Sequence, residues 1–287
     1  MTAKQPRMGG RAARHALRSA PIPPDERPVQ PGQSGGRFQP LSQSDVDRVH
    51  HAALDALETI GLANALPSQV ELFTQAGCSM SEDGRLKFPR ALVEDTVASA
   101  ARTIVLHGQE ERYDLDLSGE RVYFGTAGAA VHVVDIEKRA YRDSTISDLY
   151  DAARLVDRME HIHFFQRSMV PRDLEDPREM DFNTCYASVH GTTKHVGTSF
   201  VLPEHADESI DMLELIAGGE KLWRERPFVS CSCCFVVPPL RFAEDACRVL
   251  ETCVRRGMPI LLLAAGQAGA TSPAALAGAV VQEVAEV

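Results

Sequence analysis

By type alone, the thiols and imidazoles are the residues of this 287-residue chain most suited to chemistry. Cys231, Cys233 and Cys234 crowd together, and a thiolate cluster can ligate a metal or act as a nucleophile. On an extended strand, Cys231 and Cys233 share a face while Cys234 takes the other. Three ligands from one short strand make poor tetrahedral geometry, and structural zinc usually takes four. Cys247 and Cys253 are six apart on a predicted helix and do not share a face. The cluster therefore reads as small buried thiols. His161 and His163 alternate onto one strand face, with no Asp or Glu beside them in a known metal geometry. Lys194 and His195 open a predicted strand, where a helix-end cation and a buried hydrogen-bonding pair are the plain reading. No metal site is assigned, and catalytic residues stay unassigned.

The elements that must position these residues are built from an acidic, ordinary globular composition. Hydrophobic residues make up 44% and charged residues 24%, with a net charge of −10, which argues against broad nucleic-acid binding. Seven irregularly spaced cysteines do not suggest a disulfide framework and fit reduced thiols in a cytoplasmic protein. Residues 257–282 carry no charge, but Gly266, Gly269, Thr271, Ser272 and Pro273 divide the run into a strand, a loop and a helix start, so no membrane span is expected. The basic N-terminus, with Lys4, Arg7, Arg11, Arg14 and Arg18, has no apolar core of a secretory signal.

Along the chain, residues 1–40 are rich in Pro, Gly and Arg and are expected to be a disordered tail. Residues 41–110 read as a helical cap. Ser42 or Ser44 caps a helix with a Val46, Val49, Ala53, Leu54, Leu57, Ile60 stripe ended by Gly61. Pro67 opens a second helix and a third covers about 90–102. From Tyr113 the period changes to two, and hairpin strands are expected through Val122–Phe124 and Val131–Ile136. Ser144 or Thr145 caps the next helix. Four strand–helix units follow, with strands near Ile162–Met169, His195–Val201, Phe228–Val236 and Pro259–Leu263. Starts about 30 residues apart and apolar runs without clean alternation are typical of parallel βαβ connections. No Gly-x-Gly-x-x-Gly and no P-loop appear, so the dinucleotide and nucleotide readings lack support.

In this order the local phrases resemble the trimethylamine methyltransferase family. The segments are Ala53–Gly61 with Ala76–Gly77–Cys78, Val131–Val134–Asp135, Arg142–Asp143–Ser144–Thr145, Asp181, Thr193–Lys194–His195, Pro238–Pro239–Leu240–Arg241–Phe242, Pro259, and Ala268 through Gly278. The last is the most specific. The resemblance implies a (β/α)8 TIM-type barrel with an N-terminal helical cap, of which residues 111–287 are expected to form an incomplete part. It implies methyl transfer from a tertiary or quaternary methylated amine, such as trimethylamine or glycine betaine, to the Co(I) corrinoid (cobalamin) of a partner protein, with no cofactor bound directly.

Active sites of such barrels lie at the carboxyl ends of the strands, here Ser168 and Met169, Ser199 and Phe200, Cys233 and Cys234, and Gly266 and Gln267. A cationic substrate favours aromatic faces, so Phe200 and Gln267 are expected to line the substrate pocket. His195 joins them because the resemblance includes its phrase. Gly125 and Gly128 are expected to be structural turns. The family's pyrrolysine, and the equivalent region of relatives that lack it, fall beyond Val287. The helical pattern still runs at Val287, so the expectation is a truncated barrel. Such a chain would be inactive alone and either self-associate or pair with a complementary C-terminal fragment through the Pro259–Leu263 edge. The alternatives are a catalytically inactive remnant, or an unrelated barrel enzyme, which would need a carboxylate or metal constellation that the sequence does not display.

Overall fold

The computed structural model describes residues 30–287. Most of the expected tail lies outside the described residues. Within the remainder, Gln33–Ser34 pairs antiparallel with Arg121–Val122.

The cap comprises helices α1 (Gln43–Thr59), α2 (Pro67–Gln75) and α3 (Arg90–Ser99). Ser42, rather than Ser44, starts α1: its hydroxyl accepts from the Asp45 N–H, and the Asp45 carboxylate accepts from the Ser42 N–H, a reciprocal capping box. After α1, Gly61 turns with φ 71°, and a Cβ there would stand 2.2 Å from the Leu86 carbonyl oxygen. Two antiparallel pairs follow, Val105–Leu106 with Leu115–Asp116 and His132–Asp135 with Ala140–Asp143.

The main sheet contains β1 (Phe164–Gln166), β2 (His195–Thr198), β3 (Val229–Cys233) and β4 (Ile260–Leu262). All neighbours are parallel and the spatial order is β1-β2-β3-β4. Helices α4 (Ile146–Asp157), α5 (Pro177–Gly191), α6 (Pro203–Ala217), the short α7 (Glu220–Glu225), α8 (Glu244–Arg256) and α9 (Leu276–Glu286) complete the chain. Helix α4 packs on α5, α5 on α6, and α6 on α8, so these four form one row following the strand order, while α9 packs on α1 of the cap. A doubly wound sheet would instead reverse strand order partway. The uncharged run 257–282 becomes β4, a loop and the start of α9, and no described helix is long and apolar enough to cross a membrane.

Strand phase fixes which side chains meet the helices. Val196, Val229 and Cys231 pack with Ile210, Leu213 and Val249 in the largest core, and Phe165 packs with Leu149, Ala153 and Val156 of α4. Trp223 of α7 is fully buried in the same core. Its ring is edge-on to Phe228 at 5.5 Å and its indole N–H donates to the Arg256 carbonyl at 3.1 Å.

Gly125 and Gly128 are not turns. Their segment lies beside β1 in parallel, with Gly125 opposite Phe164 and Ala130 opposite Met169. A Cβ would stand 2.2 Å from the Phe164 ring at Gly125 and 2.1 Å from the Arg167 carbonyl oxygen at Gly128. These glycines permit a close approach of backbone to sheet. The expected hairpin through Val122–Phe124 is not formed: Val122 pairs with Gln33, and the chain then runs alongside β1 through single bridges at Gly125 and Ala130. On the opposite side, β4 has no strand partner on its outer edge among the described residues.

Lys194 pins α4 to β2. Its buried ammonium donates to the carbonyls of Val156, Met159 and Ile162 at 2.7, 2.6 and 2.6 Å, which converge where the chain leaves α4 and turns toward β1. Burial pulls its pKa below the usual lysine range, opposed by Asp157 and Glu160. Lys194→Met should lower the unfolding free energy by about 2–3 kcal/mol, the scale of hydrogen bonds to a charged group. Lys194→Arg should not restore it, because a planar guanidinium does not match three converging carbonyls. Urea denaturation of the three proteins measures both effects.

Candidate functional site

The carboxyl ends of β1–β3 gather polar side chains on both sides of the sheet. On the face away from the helices, Gln166 stands opposite Gly197 and Gly197 opposite Ser230, with Ser232 two residues further along β3. The Gln166 side-chain amide donates to the Ser232 hydroxyl at 3.2 Å. It lies across Gly197, where a Cβ would stand 1.9 Å from Gln166 Oε1. Gln166 is also held through its backbone carbonyl, which accepts from the Thr126 hydroxyl at 2.6 Å.

On the helix side, Arg167 follows Gln166 and clamps the loop after β2. Its guanidinium donates to the Ser199 hydroxyl at 2.7 Å, to the Ser199 carbonyl at 3.3 Å and to the Thr184 hydroxyl at 3.3 Å. Asp181 of α5 is fully buried. Its Oδ2 accepts from the Val201 N–H at 2.7 Å and from His205 Nδ1 at 2.8 Å, while Oδ1 lies 3.9 Å from Arg167. Burial lowers the pKa of Arg167, opposed by the Asp181 charge. The cluster therefore fixes residues 199–201 between α5 and the start of α6.

The three residues expected to contact substrate are not brought together. Phe200 sits on the clamped loop, half-buried, and packs against the helix-side core. Gln267 is exposed and forms a turn: its N–H donates to the Thr271 hydroxyl at 2.9 Å, and its carbonyl accepts from the Ala270, Thr271 and Ser272 amides. His195 lies at the amino end of β2, roughly 16 Å from Phe200 by strand rise. Its Nδ1 donates to the His107 carbonyl at 2.8 Å, which makes Nε2 the acceptor for the Ser230 hydroxyl at 2.9 Å. Its ring is thus taken up in closing the amino end. There His107 Nδ1 meets Asp114 at 2.9 Å, and Arg226 binds the same carboxylate through two bonds of 2.9 and 3.0 Å. Burial works against ionisation of Asp114, but the bonds from Arg226 and His107 outweigh it and hold its pKa below the usual range.

Of the other sequence candidates, Met169 packs toward α4, and the Gly266 N–H donates to Glu283 at 2.7 Å. Cys231 and Cys233 are buried and Cys234 is exposed. The Cys233 thiol reaches the Ala246 carbonyl at 3.3 Å, and burial pushes its pKa up to about 12, which leaves it a poor nucleophile. Of the two imidazoles paired by alternation, His163 accepts the Phe124 N–H at 2.9 Å through Nδ1 and secures the segment beside β1. Among the described residues, no group of three His, Cys, Asp or Glu side chains could hold a metal ion. Sequence reading passed over Gln166, Arg167, Ser232 and His205. The available signal was a Gln–Arg pair closing the apolar run Phe164–Phe165, where strand alternation must send one polar side chain to each face.

Two outcomes test this geometry. Burial pushes the His195 pKa from 6.5 down to about 4. Between these values the unfolded chain takes up a proton that the folded chain does not, so stability falls as pH drops from about 6.5 towards 4, by about 3 kcal/mol from this group. His195→Gln should flatten that part of the profile, read as urea midpoints against pH relative to wild type. Separately, Asp181→Ala leaves Arg167 and His205 without their buried anion and should cost about 3–5 kcal/mol. Differential scanning calorimetry at neutral pH measures that loss.

Comparison with known proteins bears on the whole of this framework. The family model described as trimethylamine methyltransferase (MTTB) matches residues 7–287. The chain is 31% identical over 248 residues to trimethylamine methyltransferase MttB of Desulfitobacterium hafniense (strain DSM 10664 / DCB-2), covering 86% of this chain and 50% of that protein. It is 27% identical over 259 residues to trimethylamine methyltransferase MttB2 of Methanosarcina mazei, covering 88% and 52%. It is 24% identical over 257 residues to glycine betaine methyltransferase of D. hafniense (strain Y51), covering 89% and 53%. The chain spans about half the length of the curated relatives it matches. Matched from its seventh residue through its parallel sheet and last helix, the chain belongs to the trimethylamine methyltransferase family of methyltransferase enzymes.

Proposed function

We propose that this chain takes part in moving a methyl group from a tertiary or quaternary methylated amine to the Co(I) corrinoid of a separate cytoplasmic protein. The family match over residues 7–287 carries the reading. The sequential parallel sheet, with its helices in one row, supports its companion: the four strands are part of a (β/α)8-type barrel and the carboxyl-end face is the substrate side. In the reaction the bond from nitrogen to the methyl carbon breaks, its electron pair stays on nitrogen, and the cationic substrate leaves as a neutral amine. The corrinoid is the partner's, and no residue of this chain is assigned to it.

The task of the protein in such a transfer is alignment and exclusion of water. The Arg167–Asp181–His205 clamp suits the first, because it immobilises the loop after β2 where it borders that face. A neutral floor of Gln166, Gly197 and Ser232 suits an ammonium group that must not be trapped as an ion pair. In a second reading the catalytic step also needs a complementary polypeptide, supplied by another chain. Coverage of about half the relatives' length supports it.

The test is methyl transfer in vitro. The purified 287-residue protein is mixed with a reduced corrinoid protein and trimethylamine or glycine betaine, alone and after co-expression with a segment equivalent to the remainder of a relative. Spectroscopic conversion of the reduced corrinoid, with release of dimethylamine or dimethylglycine, is the expected result in at least one arrangement. Absence of transfer in both, with folded protein, would overturn the proposal.

A further inference from the structure

The group on the inner face has a property that neither the fold nor the clamp requires. Gln166 ends β1, Gly197 stands opposite it in β2, and Ser232 lies in β3 two residues past Ser230, the partner of Gly197. The amide of Gln166 bridges from the first strand to the third by lying over the second, with Nε2 bound to Ser232 Oγ at 3.2 Å. The bridge exists because residue 197 has no side chain: a Cβ would sit 1.9 Å from Oε1 and 2.7 Å from the amide carbon. Its φ is not in the left-handed region, so close approach of the amide, and not backbone conformation, is what calls for glycine here. The amide is therefore a dipole held through its nitrogen by Ser232 and lying over Gly197. Among the described residues no donor reaches its carbonyl oxygen.

Resting on the reading given under Proposed function, we propose that Gln166 is a specificity-determining residue whose amide oxygen meets the cationic end of a methylated amine. A quaternary ammonium group has no N–H to donate and spreads its charge over its methyl groups, so it is recognised by a negative surface and not by directed hydrogen bonds. An amide oxygen supplies such a surface without a full charge. A carboxylate in its place would hold the cation more tightly. Loss of a methyl group turns the cation into a neutral amine, and the attraction to a fixed dipole then weakens, which favours release of the product over the substrate. The neighbouring positions on this face, Gly197, Ser230 and Ser232, are also uncharged.

The experiment compares a charged ligand with its neutral carbon isostere, so that shape is held constant. Choline and 3,3-dimethylbutan-1-ol are titrated into the 287-residue protein by calorimetry, with ligand-observed NMR for weak binding and circular dichroism to confirm folding. Wild type should favour choline by about tenfold or more, Gln166→Leu should bring the two ligands within about twofold of each other, and Gln166→Glu should widen the preference beyond wild type. Gly197→Ala, which displaces the amide from β2, should behave as Gln166→Leu does. A folded Gln166→Leu protein that keeps the wild-type preference overturns the proposal. Should that variant fail to fold, a Gln166→Glu preference no wider than wild type overturns it equally. Folded wild-type protein that binds neither ligand overturns this inference, while the methyl-transfer test decides the methylated-amine reading separately.

Discussion

A carboxylate sealed from water is costly unless donors are brought to it. One oxygen of Asp181 recruits the backbone of the loop after β2 and an imidazole from the first turn of α6, and the other faces the Arg167 guanidinium at 3.9 Å. Four parts of the chain are thereby referred to one atom group: the end of β1, the loop at 199–201, the middle of α5 and the start of α6. The apolar contacts between α5, α6 and the sheet could be satisfied by several small shifts, because dispersion and hydrophobic burial have no direction. Hydrogen bonds to a buried charge are directional and admit far fewer arrangements. The carboxyl end of the sheet owes its defined shape to that cluster more than to the core beneath it.

The same division explains what could be read from the sequence. The strand–helix units were legible because burial on one or both faces leaves a period in the residues: the stripe that becomes α1, the apolar runs that become β1 to β4, and the Pro and Gly stops around them. That Cys231 and Cys233 are buried on one face while Cys234 is exposed followed from strand alternation. Of the two hairpin strands expected, Val131–Ile136 forms one with Ala140–Asp143, but Val122–Phe124 does not, because an alternating segment does not name its partner; Val122 pairs with Gln33, and His163 and two glycines bring the following residues alongside β1. The short α7 left too brief a pattern to register, though it carries the central tryptophan. At the candidate site, alternation could have drawn attention to Gln166 and Arg167, but not to the bonds from Gln166 to Ser232 or from His205 to Asp181, which join residues 66 and 24 positions apart. His195 drew attention through its local phrase, and its partners His107 and Ser230 come from elsewhere in the chain.

The cap is joined to the strand–helix part by apolar packing, with α9 against α1 and Leu62 and Leu86 against Val236 and Phe242, and by directional bonds. The turn that follows β3, Pro238–Phe242, faces the cap with its backbone. The Ala63 N–H donates to the Leu240 carbonyl at 3.0 Å, the Phe242 N–H donates to the Ala63 carbonyl at 2.9 Å, and Arg85 reaches the same Leu240 carbonyl at 3.0 Å. From the other side, the Leu240 N–H donates to Glu286 of α9 at 2.7 Å. One residue between two domains' worth of structure is thus bonded to both. This accounts for the sharpness of a proline-rich segment that, by composition alone, would read as a loose connection.

The chain contains a single tryptophan, and its placement has an optical consequence. Trp223 is sealed in the layer between the sheet and helices α6 and α8, with Phe228 at its edge and the Arg256 carbonyl on its indole nitrogen. Its emission therefore reports from that layer and nowhere else, and a red shift would signal entry of water there. The cap, whose Leu62 and Leu86 pack in a separate apolar cluster with Val236, Phe242 and Cys247, holds no indole and is silent to the same signal. If the two layers come apart at different denaturant concentrations, fluorescence and circular dichroism will give different midpoints; if they unfold as one unit, the curves will superimpose. The protein carries, in one native side chain, a probe for whether its cap and its sheet are a single cooperative body.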